Sequence, residues 1–178
     1  MMAKLENIKS QIENNLSKLE KLREAFSHSC KVKLSQEEYN DLDDELGYLV
    51  GDFCNIILGK NKISKELIKC DSSFAKQKDG IKFVYNRKKH QKLSVVITEN
   101  STQSFTLDMS KLDSEDKILG GNVKWSESLL NSSGDRDNDK QKLSFETNFK
   151  DKNVFYFIDI LIKIDKICLS NSTILNIN

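Results

Sequence analysis

Leu5, Ile8, Ile12, Asn15, Leu19, Leu22 and Phe26 follow one another at steps of three and four residues, and Tyr39, Leu42, Leu46, Leu49, Phe53 and Ile56 do the same. Each series lays an apolar edge along one side of a helix, and such an edge buries against a partner. The short gap between the two favours an antiparallel helical hairpin. The first helix is predicted over 3–25. Asn15 sits in its stripe where an apolar residue is expected. It either fixes register as a buried amide or lies at a wet edge with Leu16 turned inward.

The second helix has a marked start. Ser35 and Glu38 have the spacing of a capping box, and Asp41, Asp43, Asp44 and Glu45 suit the positive end of the helix dipole. Gly59 and Lys60 form its predicted stop. Gly47 and Gly51 stand one turn apart inside it, each costing roughly 0.5–1 kcal/mol relative to alanine. Together they imply that another element approaches the backbone closely on that side. Val50, Cys54 and Ile57 widen the apolar face. A short helix is expected over 64–70.

The period then changes. Segments 81–85, 93–98 and 103–109 are short, β-branched or aromatic, and bounded by turn formers such as Asp79-Gly80, so they read as an antiparallel meander. Segment 123–130 permits helix or strand, 131–142 reads as a polar loop, and 143–149 alternates as a fourth strand. Segment 154–169 alternates through Tyr156, Ile158, Ile160, Ile162 and Ile164, yet Lys152, Asp159, Lys163 and Lys166 share one helical stripe. Sixteen residues is long for a strand, so a helix is expected there. The predicted class is α+β: an N-terminal antiparallel helical hairpin over 1–62, then a region over 63–178 with a small antiparallel β-sheet of about four strands and a C-terminal helix packed on it. The two regions are read as one continuous domain.

The 178 residues carry 28 basic and 27 acidic side chains, for a formal charge of +1, which argues against a dedicated polyanion binder and against a nucleic-acid mimic. No apolar run reaches membrane-spanning length, since Asp159, Lys163, Asp165 and Lys166 interrupt the best candidate. The charged beginning lacks the apolar core of a secretion signal, and the four cysteines are not closely paired, so a cytoplasmic location with reduced thiols is expected. Proline is absent where average usage would give about nine. With the abundant lysine, asparagine and isoleucine this points to an AT-rich coding sequence, as in a mobile element or a reduced genome.

Candidate chemistry is sparse. Asp135, Asp137, Asp139 and Glu146 occupy the first, third, fifth and twelfth places of a calcium loop over 135–146, but Lys140 stands where the turn needs glycine. A solvated connection is the preferred reading. His28 and Cys30 form one close pair of potential zinc ligands where a structural site needs two. There is no nucleophile elbow, no phosphate-binding loop, no dinucleotide fingerprint and no metalloprotease motif, so neither an enzyme nor a cofactor is expected and no metal site is assigned.

Arg87, Lys88, Lys89, His90 and Lys92 form the one tight basic cluster, beside Tyr85 and Phe83. It could grip phosphates and stack bases, or serve as a charged turn that keeps a sheet edge soluble. Trp125, the single tryptophan, is either a core plug or an exposed anchor. The expected function is a non-enzymatic protein-binding module, with Tyr85, Arg87, Lys88, Lys89 and Trp125 as candidate partner contacts. An inhibitor or immunity-type protein is its specific form. The rivals are a nucleic-acid-binding module using the 87–92 cluster, and a coiled-coil adaptor that makes a homodimer through its heptad edges.

Overall fold

The apolar stripes of the first sixty residues are buried much as their spacing requires. In the computed structural model, which describes residues 2–29, 35–90, 93–98, 122–125 and 139–175, helix α1 spans Met2–Ser29 and α2 spans Gln36–Phe53. The capping box forms: the Glu38 amide donates to Ser35 Oγ at 3.2 Å, and the Ser35 amide donates to the Glu38 carboxylate at 2.8 Å. The Ser35 amide, and the Ser35 hydroxyl donating to the same carboxylate at 2.8 Å, hold the Glu38 carboxyl below its ordinary range. Ile12, Leu19, Leu22 and Phe26 of α1 and Leu46, Leu49, Val50 and Phe53 of α2 are buried as the two helices pack together.

Beyond Phe53 the ladder widens into a π-helical turn, Cys54–Leu58, closed by a 2.7 Å bond from the Gly59 amide to the Cys54 carbonyl. Helix α3 (Asn61–Cys70) and helix α4 (Phe74–Lys89) follow. Strand β1 (Val95–Thr98) pairs antiparallel with β2 (Asn122–Trp125), Val95 opposite Trp125. Helix α5 (Asp139–Asn148), helix α6 (Val154–Ser170) and a last turn, α7 (Ser172–Leu175), complete the described chain.

The α+β expectation is therefore overturned. The described residues form a helical assembly, and a single pair of short strands stands where a four-stranded sheet was expected. Segment 81–85 lies inside α4 and segment 143–149 falls almost wholly within α5. Segment 103–109 lies outside the described residues, as do 126–130. Gly80 explains the first error. It is a crossing point rather than a turn: a Cβ there would stand 2.8 Å from the Phe149 ring and 3.0 Å from the Phe145 amide nitrogen. The Ser144 hydroxyl fastens this crossing to the α4 backbone. It accepts from the Gly80 amide at 2.8 Å and donates to the Lys76 carbonyl at 2.7 Å, locking α5 across α4. The second error is one of period. Phe145 and Phe149 are four apart and both buried, whereas Leu143, which completed the alternation, is 64% exposed.

Helix α6 forms as expected, capped by Asn153, whose side chain accepts from the Phe155 amide at 3.0 Å. It packs chiefly along α1 and meets the two-stranded ribbon mainly at β2, so it does not cover a four-stranded sheet. The α1–α6 pair is antiparallel, with Arg23 bound to Asp159 by two hydrogen bonds and Glu20 facing Lys166 at 2.8 Å. Such exposed pairs are worth about 0–1 kcal/mol each. Most of the cohesion comes from the apolar side chains between the helices. Phe83, Trp125, Phe145, Phe149 and Phe157 gather into one aromatic cluster that joins α4, β2, α5 and α6.

Candidate functional site

Helix α2 turns one face inward and carries Asp44, Tyr48 and Asp52, at steps of four, on the face that stays exposed. Tyr48 is 76% exposed, the most exposed large apolar residue of the described chain. Along the flank toward α4 run Gly47 and Gly51. A Cβ on Gly51 would lie 3.2 Å from the Tyr85 ring, and one on Gly47 would lie 3.7 Å from the Lys88 side chain. The close approach expected of these glycines is thus made by the C-terminal half of α4. Because neither glycine has a side chain, an open groove of about 740 Å³ remains above the contact, lined by Asp44, Tyr48, Asp52, Asn55, Tyr85 and Lys89 among others. A second hollow of about 410 Å³ on the other side of Tyr48 is lined by Lys18, Asp41, Asp44, Glu45 and Asp52. Tyr48 is the ridge between them.

One buried ion pair shapes the groove floor. Asp43 accepts from Lys88 Nζ and, at 2.9 Å, from the Val95 amide, while Lys88 Nζ also donates to the Asp43 carbonyl at 3.0 Å. The arrangement ties α2, α4 and β1 together at a single carboxylate. Burial lowers the Lys88 pKa, and the facing Asp43 opposes that shift.

The five sequence candidates separate. Tyr85, Lys88 and Lys89 come together at the groove. Arg87 turns the other way, 3% exposed, with its guanidinium 5.2 Å above the Phe83 ring. Trp125 is 4% exposed and sits edge-on to Phe145 and Phe157, with centroids 5.8 and 5.2 Å away. The basic cluster is therefore not one surface: Lys88 and Arg87 are enclosed, Lys89 and His90 are exposed, and Lys92 lies outside the described residues. Tyr48 escaped sequence reasoning because it falls off the apolar stripe of α2, and that displacement was itself the signal. Asp44 was read only as an answer to the helix dipole. Asp52 is too far from the N-terminus for that role and was not singled out.

Elsewhere the chemistry is muted. Burial pushes the Cys54 and Cys168 thiols up to about 12, so both behave as small apolar residues. Asp139 and Glu146 lie along one helix rather than around a loop, and Asp135 and Asp137 are outside the described residues. Among the described residues no three His, Cys, Asp or Glu side chains converge as metal ligands, and no helix is long and apolar enough to cross a membrane. Comparison with protein-family models, with curated proteins and with solved structures finds no match for this chain.

Proposed function

We propose that this chain is a non-enzymatic protein-binding module and that the groove between α2 and α4 receives a basic segment of its partner. The observation that carries the reading is the exposed Tyr48 standing between two hollows whose rims bear Asp41, Asp44, Glu45 and Asp52. With Lys88 engaged by Asp43, the other described cations lining the two hollows are Lys18 and Lys89 against these four carboxylates, so the rim favours a cation. An extended lysine- or arginine-bearing peptide would lay its charges against the rim and a cationic head over the Tyr48 ring. Long-range attraction of this kind sets orientation and association rate more than raw affinity. An inhibitor or immunity-type protein is the specific form in which such a groove masks a basic surface of its target.

The nucleic-acid reading needs a cationic face, and the enclosure of Arg87 and Lys88 removes two of its members. The adaptor reading needs an open heptad edge on α1, whereas that edge is occupied by α2 and α6.

The test is binding of the intact chain to a short arginine- and lysine-rich peptide, followed by fluorescence anisotropy at low and moderate salt. The wild-type chain is expected to bind and to weaken as salt rises. Asp44→Lys combined with Asp52→Lys is expected to weaken binding by about tenfold or more, equivalent to ~1.4 kcal/mol. Glu13→Lys, an exposed reversal on α1, is expected to leave it unchanged. Equal affinity for all three proteins would rule the groove out.

A further inference from the structure

Asn15 and Asp165 are the clearest irregularity in the packed interior. They are 2% and 1% exposed, on the facing sides of α1 and α6, among Ile12, Leu19, Leu161, Ile164 and Cys168. Asn15 Nδ2 donates to Asp165 Oδ2 at 3.0 Å. The other oxygen of each group, Asn15 Oδ1 and Asp165 Oδ1, is buried with no hydrogen-bond partner among the described residues. Two acceptors cannot bond to each other unless a proton lies between them, and leaving both unsatisfied in a packed interior is destabilising.

We propose that the Asn15–Asp165 pair is a proton-operated clamp between α1 and α6. With a proton on Asp165 Oδ1, the carboxyl donates to Asn15 Oδ1 while still accepting from Asn15 Nδ2, and a ring of two hydrogen bonds joins the helices. When the proton leaves to solvent, one bond is lost and a single negative charge remains in an apolar layer. The clamp then loosens and the two helices are held by side-chain packing and their surface ion pairs.

The described surroundings offer that charge no compensation. On α6, Asp159, Lys163 and Lys166 point outward, bound to Arg23, Asp71 and Glu20. The other described charged residues of α1 lie at the surface; on α3, Glu66 pairs with Lys69 and both Lys62 and Lys65 are exposed. Lys124 of β2 is exposed, and α7 carries no ionisable side chain. The remaining titratable neighbours are thiols: Cys168, raised in part by Asp165 itself, and Cys70 of α3. Burial accordingly pushes the Asp165 carboxyl up to about 7, with the Asn15 amide pulling it back. A raised carboxyl pKa means that the folded state holds a proton the unfolded chain has released. The stabilisation is complete below the unfolded value near 4 and is lost as pH rises through about 7.

Two measurements on the full chain decide the matter. In the wild-type protein, carbon-13 NMR of the Asp165 carboxyl is expected to titrate near neutrality; a midpoint near 4 would overturn the proposal. In urea unfolding, Asp165→Asn keeps a reciprocal amide pair without a charge. Its folding equilibrium constant relative to wild type is expected to rise by about a hundredfold or more between pH 5 and pH 8. A ratio that does not change with pH would overturn the clamp as surely as the low midpoint. The carboxyl titration stands even if the variant fails to fold.

Discussion

Asp43→Ala is expected to lower stability by about 3–5 kcal/mol at neutral pH, as for other broken buried ion pairs. The Lys88 side chain is 5% exposed and that of Asp43 15% exposed, so removing the carboxylate leaves an ammonium in the interior with one carbonyl as its described acceptor. The Val95 amide loses its partner in the same step, which frees the start of β1. Two further outcomes separate this cause from general damage. Lys88→Met in the Asp43→Ala background is expected to restore part of the loss, because no charge is then buried. Raising the pH toward 10 is also expected to restore stability to Asp43→Ala. Burial already lowers the Lys88 pKa, so the folded state sheds its proton before the unfolded chain does, and stability climbs through that interval. Urea unfolding of the three proteins at pH 7 and pH 10 measures all of this.

Phe145→Ala is expected to cost a similar 3–5 kcal/mol. Phe145 is fully buried, stacks on Phe83 at 5.0 Å and meets Trp125 edge-on at 5.8 Å, so it bridges α4, β2 and the chain around it. Truncation opens a cavity beside the one tryptophan of the sequence. Urea unfolding gives the energy, and a red shift of Trp125 emission in the folded variant reports water reaching the indole. Unchanged stability and emission would mean that the aromatic cluster is not the anchor of α5.

These two sites also mark what the sequence does and does not disclose. The stripes of α1 and α2 are legible because each runs through several heptads, long enough to separate a helical period from any other. The capping box is legible because it is local. Segments 81–85 and 143–149 are too short for that discrimination, and both carry apolar residues at positions that suit either period. Gly80 compounds the difficulty, since a glycine that admits a crossing helix looks the same in one dimension as a glycine that makes a turn. Its meaning lies in Ser144 and Phe149, more than sixty residues away.

The groove divides along the same line. Gly47 and Gly51 announced a close neighbour, and the neighbour is α4. That Lys88 would pass inward to Asp43 while Lys89 stayed outside depends on how α4 is rotated, which a cluster of consecutive basic residues cannot convey. Asn15 was readable as a polar break in an apolar stripe. Its partner Asp165 looked like an interruption of a hydrophobic run, and only the antiparallel pairing of α1 with α6 brings the two together.

The proposed role is tested most directly by locating a bound basic peptide on the intact chain, through backbone amide NMR shifts during a titration. The account predicts that the largest shifts fall on Asp44, Tyr48, Asp52, Tyr85 and Lys89, around the groove between α2 and α4. Shifts centred on the outer faces of α5 and α6, or none at concentrations where the anisotropy signal saturates, would contradict it.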